Sequence, residues 1–92
     1  MKPQEALELQ QQLKGWSLMT INGIHNLQKR FKFKDFVEAI KFVNNVAILA
    51  EQEGHHPGIT INWNKVTLLL STHAIKGLSE NDFIMAAKID KL

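Results

Sequence analysis

The chain has 92 residues, 45% of them hydrophobic and 22% charged, a formal charge of +2 and no cysteine. That is the length of one small domain, 1–92, with a modest core, and the composition is that of an ordinary globular protein. Disulfides, thiolate metal sites and cysteine nucleophiles are excluded, and so small a net charge does not by itself point to nucleic acid.

The start, MKPQEALELQQQL, is polar and amphipathic, without the apolar stretch of a signal peptide. No apolar run approaches the roughly 20 residues that span a bilayer. The expectation is a cytoplasmic protein with no membrane contact. Pro3 suits the first turn of a helix in which Ala6, Leu7, Gln10 and Leu13 recur at helical spacing until Gly15. A short strand follows over Trp16 to Thr20. Asn22-Gly23 is the strongest hairpin signal in the chain, and a second strand runs from Ile24 to Phe33.

Asp35 is placed to cap a long helix with an apolar stripe of Phe36, Ile40, Val43, Val46, Ala47 and Ala50. Gly54 stands where a left-handed C-cap belongs. Ile59, Ile61 and Trp63 alternate with Thr60 and Asn62 as a third strand. A tight turn at Asn64-Lys65 leads to a fourth strand over Val66 to Thr72. Ser79 and Asp82 have capping-box spacing, and Leu78 with Phe83 are placed as a hydrophobic staple for the last helix. The order α-β-β-α-β-β-α predicts an α+β fold, a four-stranded antiparallel sheet with helices packed on one face. The uncovered face and the sheet edges predict a homo-oligomer.

The one basic cluster, KRFKFK from Lys29 to Lys34, interleaves aromatic and basic residues. In a strand, Phe31 and Phe33 face one way and Arg30 and Lys32 the other, a core face and a solvated face. That reading is preferred to a stacking platform for single-stranded nucleic acid, and no direct nucleic-acid partner is expected.

Three of the four histidines, His55, His56 and His73, fall at the ends of predicted elements. Histidine is the side chain best suited to moving protons near neutral pH. His55 and His56 follow the long helix, whose carboxyl end carries partial negative charge that favours a cationic imidazole. Glu51, four residues before His55, adds to that field. Pro57 braces the exit. His73 is expected to project from one sheet face at the end of the fourth strand. Asp82, in the first turn of the last helix, is placed both as a capping residue and as an acceptor that orients an imidazole. His25 has no evident partner and reads as surface. Adjacent His55 and His56 diverge on an extended backbone, which disfavours a shared metal, and no His-x-x-x-His is present. No phosphate loop and no serine elbow is present either, which leaves histidine acid-base chemistry.

Taken together, Glu51, His55, His56, Pro57, Trp63, His73 and Asp82 match, position by position, the signature of the pterin-4a-carbinolamine dehydratase family, also called the dimerisation cofactor family. The similarity extends to Gly15-Trp16, the segment from Phe31-Lys32-Phe33 to Phe36, Asn64-Lys65-Val66, Ser71-Thr72-His73 and Gly77-Leu78-Ser79. The resemblance implies a dimer or a dimer of dimers, and a reaction, the dehydration of 4a-hydroxytetrahydropterin to quinonoid dihydropterin. That reaction serves tetrahydrobiopterin recycling and links the protein to an aromatic amino-acid hydroxylase. It implies no metal and no redox cofactor. His55 and His73 are carried over as the acid-base pair, in either order, and His56 as a pterin-contacting and catalytic partner. Glu51 is expected to tune His55, Asp82 to orient a histidine, and Ser71 and Thr72 to contact the pterin ring. Trp16 reads equally as pocket wall or core. The alternative functions are a non-catalytic dimerisation partner and a pterin-binding protein of another pathway.

Overall fold

The computed structural model describes residues 2–92. Its elements follow the expected order: α1 (Pro3–Gln10), β1 (Ser17–Ile21), β2 (Ile24–Lys32), α2 (Phe36–Glu53), β3 (Gly58–Asn62), β4 (Lys65–Leu70) and α3 (Glu80–Ile89), with a 3₁₀ turn at His73–Ile75. The strands form one antiparallel sheet in the order β1-β2-β4-β3. Each hairpin keeps its strands adjacent, and β2 meets β4 in the middle.

Alternation decides which face of the sheet is buried. Val66, Leu68 and Leu70 of β4 are fully buried, as is Leu27 of β2, and these residues pack with Ala39, Val46 and Ala50 of α2 and with Phe83, Met85, Ala86 and Ile89 of α3. Phe31 and Phe33 stack against Phe42 of α2 at 4.7 and 5.0 Å between ring centroids, while Arg30 and Lys32 stay exposed. The buried stripe of α2 is turned from the expected one: Ala39, Phe42, Val43, Val46 and Ala50 face the core, and Phe36 and Ala47 are exposed. Both stripes have helical spacing, and the packing of β2 and β4 beneath α2 selects between them.

Local chemistry sets the boundaries. Asp35 caps α2 by accepting from the Glu38 N–H at 2.9 Å. Gly54 ends it at φ 63°, and the His55 N–H reaches back to the Ala50 carbonyl at 3.1 Å, as in a Schellman motif. Asn22 and Gly23, both at positive φ, make a type I′-like hairpin turn. In the middle of β2, Lys29 ties three segments together. Its ammonium bonds Asp90 at 2.8 Å and the Lys14 carbonyl at 3.1 Å, and it lies 4.9 Å from the Phe31 ring centre.

The second hairpin turns one residue earlier than expected. Asn62 pairs with Lys65, so the turn is Trp63-Asn64 and Trp63 lies outside β3. Trp63 adopts φ 54°, a left-handed conformation that favours glycine, and it is 64% exposed. Asn64 is the reason for the shift. It is buried, its side-chain amide donates to the Phe33 carbonyl at 2.9 Å, and its own carbonyl accepts from the Phe33 N–H at 2.8 Å. Trp63→Gly removes a left-handed strain of about 1 kcal/mol. The variant is expected to raise the urea midpoint with an unchanged slope. A lowered midpoint would mean that contacts of the indole outweigh the backbone strain.

Candidate active site

The α2–β3 connection and the segment after β4 lie at the same end of the sheet because Gly58, the first residue of β3, pairs with Leu69 near the end of β4. Residues just before Gly58 therefore neighbour residues just after Leu70. Gly54, His55, His56, Ser71, Thr72 and His73 line one open cleft of about 230 Å³. A smaller concavity of about 130 Å³, with Asn81, Ile84 and Met85 in its wall, shares Gly54 and His55 with it.

The centre of this region is Asp82, whose side chain is fully buried. Its Oδ1 lies 2.5 Å from His55 Nε2. Its Oδ2 accepts from the Thr72 hydroxyl at 2.8 Å and from the Ser79 backbone N–H at 2.9 Å. The last bond is the return half of the capping box that starts α3, closed over Leu78 and Phe83, which are both buried. A buried carboxylate is costly unless each oxygen is met, and here both are. A carboxylate oxygen accepts when ionised, which makes Nε2 of His55 the donor in this contact. One oxygen of Asp82 thus lies against His55 while the other closes the capping box of α3.

Glu51 does not meet His55. Its Oε2 lies 2.6 Å from Nε2 of His56, and both side chains are largely exposed. The left-handed turn at Gly54 swings His55 inward to Asp82, so spacing along an unbroken helix does not apply to it. An exposed pair of this kind contributes little to stability. His73 departs from expectation as well. β4 ends at Leu70, Thr72 bridges back to Gly77, and His73 opens the 3₁₀ turn as an exposed side chain at the cleft.

Ser71 lines the cleft, half-buried. Thr72 lines it too, but its hydroxyl is engaged by Asp82 and by the Ser79 hydroxyl at 2.7 Å. Trp16 is not brought to the site. It is 1% exposed, packs edge-on to Phe31 and donates its indole N–H to Asp90 at 3.0 Å. His25 does have a partner, Thr20, directly across the β1–β2 hairpin at 3.2 Å. The Thr72–Ser79 link was not anticipated. Its signal is a threonine and a serine flanking a short loop whose ends must pair. Among the described residues, no three or more His, Cys, Asp or Glu side chains stand together as a metal site.

Comparison with known proteins agrees with this architecture. Proteins named "Putative pterin-4-alpha-carbinolamine dehydratase" include one from Vibrio vulnificus, 53% identical over 89 residues, which are 97% of this chain and 81% of that one. Another, from Saccharophagus degradans, is 48% identical over 88 residues, 96% of this chain and 78% of its own length. A crystal structure from Brucella melitensis, described as a transcriptional coactivator/pterin dehydratase, superposes with TM-score 0.89 at 34% identity, over 99% of this chain and 95% of that one. A pterin dehydratase-like protein described as a RuBisCO assembly factor in the alpha-carboxysome superposes with TM-score 0.71 at 26% identity, over 84% and 87%. The family model for pterin 4 alpha carbinolamine dehydratase matches residues 1–92. With its sheet, its helix order and its histidine-lined cleft, the chain belongs to the pterin 4 alpha carbinolamine dehydratase family.

Proposed function

We propose that this protein is a hydro-lyase that dehydrates 4a-hydroxytetrahydropterin to quinonoid dihydropterin, by histidine acid-base catalysis at the cleft of His55, His56 and His73. The observation that carries the reading is the 2.5 Å contact between His55 and the fully buried Asp82. It orients an imidazole beside two others at the mouth of one cleft.

The reaction breaks the C4a–O bond and an N5–H bond and makes the C4a–N5 double bond. The hydroxyl leaves as water with a proton from an imidazolium, and the N5 proton goes to a neutral imidazole. His55 is the base, accepting at Nδ1, because Asp82 holds Nε2 protonated and stabilises the imidazolium that forms. His73 is the acid, and its exposure lets it recover a proton from solvent. His56, held by Glu51, borders the pterin, and Ser71 offers it polar contact. The protein's net charge is unchanged by the step, and the histidines return to their starting states when His55 releases the N5 proton and His73 takes one from solvent. In this reading the protein recycles tetrahydrobiopterin after an aromatic amino-acid hydroxylase.

The deciding experiment is stopped-flow dehydration of chemically made 4a-hydroxytetrahydropterin. Wild type is expected to accelerate it, and His73→Ala, at an exposed position, is expected to lose about 100-fold in rate without loss of fold. Absence of acceleration by folded wild type would assign the chain to the non-catalytic binding role instead.

Thr72→Val removes one of the two donors to Asp82 Oδ2. It is expected to lower stability by about 1–2 kcal/mol and the dehydration rate about 10-fold. Thr72→Ser, which keeps the hydroxyl, is expected to restore both. Equal rates for Thr72→Val and wild type would detach the threonine from His55 function.

The reading includes a homodimer or homotetramer. Its support is the apolar edge of the sheet, where Ile59 and Ile61 of β3 and the neighbouring Trp63 are each more than a third exposed. Sedimentation velocity at micromolar concentration is expected to give a single species larger than a monomer, and a monomeric profile would remove this element.

A further inference from the structure

The four strands contain no aspartate or glutamate, yet they carry Lys29, Arg30, Lys32 and Lys65. Lys29 lies on the helix-covered side and is neutralised by Asp90. The other three are on the open face. There the register makes a compact block, with Arg30 opposite Thr67 and Thr67 opposite Thr60 in one row, and Lys32 opposite Lys65 and Lys65 opposite Asn62 in the next. Arg30, Thr60, Asn62, Lys65 and Thr67 surround a concavity of about 190 Å³. Among the described residues none of the three cations is paired with a carboxylate.

Ordinary surface explanations fit this block poorly. Lysines that guard against sheet-to-sheet aggregation belong on edge strands, but β2 and β4 are the two central strands. Like charges directly opposite each other on adjacent strands are destabilising, and Lys32 and Lys65 are such a pair. An anion seated in the concavity beside Lys65 offsets that repulsion. The groups that converge are a guanidinium, an ammonium, two hydroxyls and an amide, each able to donate to a phosphoryl oxygen.

We propose that this block binds the phosphoryl group of a small phosphomonoester. The adjoining row of the face, Gln28, Leu69 and Gly58, is neutral and without aromatic side chains on which bases stack. A single dianionic group suits the two cations of the concavity, with Lys32 beside them, better than a polymer does. The site lies at the far end of β4 from the histidine cleft, roughly 20 Å along the strand. It stands independently of the dehydratase reading.

The test is an NMR titration of the full chain at constant ionic strength with inorganic phosphate, glycerol 3-phosphate and glycerol. Saturable shifts of the Thr60, Asn62, Lys65 and Thr67 amides are expected with both phosphates and not with glycerol. The double variant Arg30→Gln/Lys65→Gln is expected to weaken binding at least 10-fold. The control Lys41→Gln/Lys91→Gln, which removes the same charge elsewhere, is expected to change it less than twofold. Linear, unsaturable shifts, or equal weakening by the control pair, would overturn the site. Binding of a single-stranded oligonucleotide through the same residues, more tightly than glycerol 3-phosphate, would overturn the small-ligand assignment in favour of a nucleic-acid face.

Discussion

One buried carboxylate organises the end of this protein at which the histidines meet. Asp82 is withdrawn from solvent, where an unmatched charge is not tolerated, so the fold must supply partners for both oxygens. The partners come from three separate segments: His55 from the turn after α2, Thr72 from the strand exit and Ser79 from the start of α3. Ordering any one of these segments without the others leaves the carboxylate short of a bond. The site and the local fold are therefore one cooperative unit, and the geometry of the imidazole is a by-product of satisfying the aspartate.

The sheet makes that meeting possible. Antiparallel pairing of β3 with β4 places the end of the long helix beside the end of β4, although their residues are nearly twenty apart in sequence. Gly54 then redirects the chain by a left-handed turn, so that adjacent histidines have different surroundings: His55 inward to Asp82, His56 outward to Glu51. Two adjacent imidazoles are thus given different environments, one against a buried carboxylate and one near solvent.

The helix-covered face of β2 is governed by packing and unlike charge. Lys29 is held among Asp90, the Lys14 carbonyl and two aromatic rings, and it joins the N-terminal segment, β2 and the end of α3. Trp16 belongs to the same arrangement through Asp90. On the other side of β2, only one residue away, Arg30 faces a surface without any acidic neighbour in the sheet. Alternation along a single strand thus separates a neutralised structural cation from an unneutralised one.

The sequence by itself determined the element order, both hairpins, the caps at Asp35, Gly54 and Ser79, and the set of histidines around the cleft. These depend on residues close in the chain: Asn-Gly for a positive-φ turn, alternation for a half-buried strand, and glycine after a helix. Tertiary structure decided what depends on distant neighbours. The stripe of α2 that is buried, the Trp63-Asn64 turn, the early end of β4 before His73, and the burial of Trp16 were all set by packing partners. So was the exchange of acidic partners, Glu51 to His56 and Asp82 to His55. Spacing counts residues along one element, whereas Gly54 breaks the helix between Glu51 and His55, and the fold brings Asp82 across from another element to satisfy its buried charge.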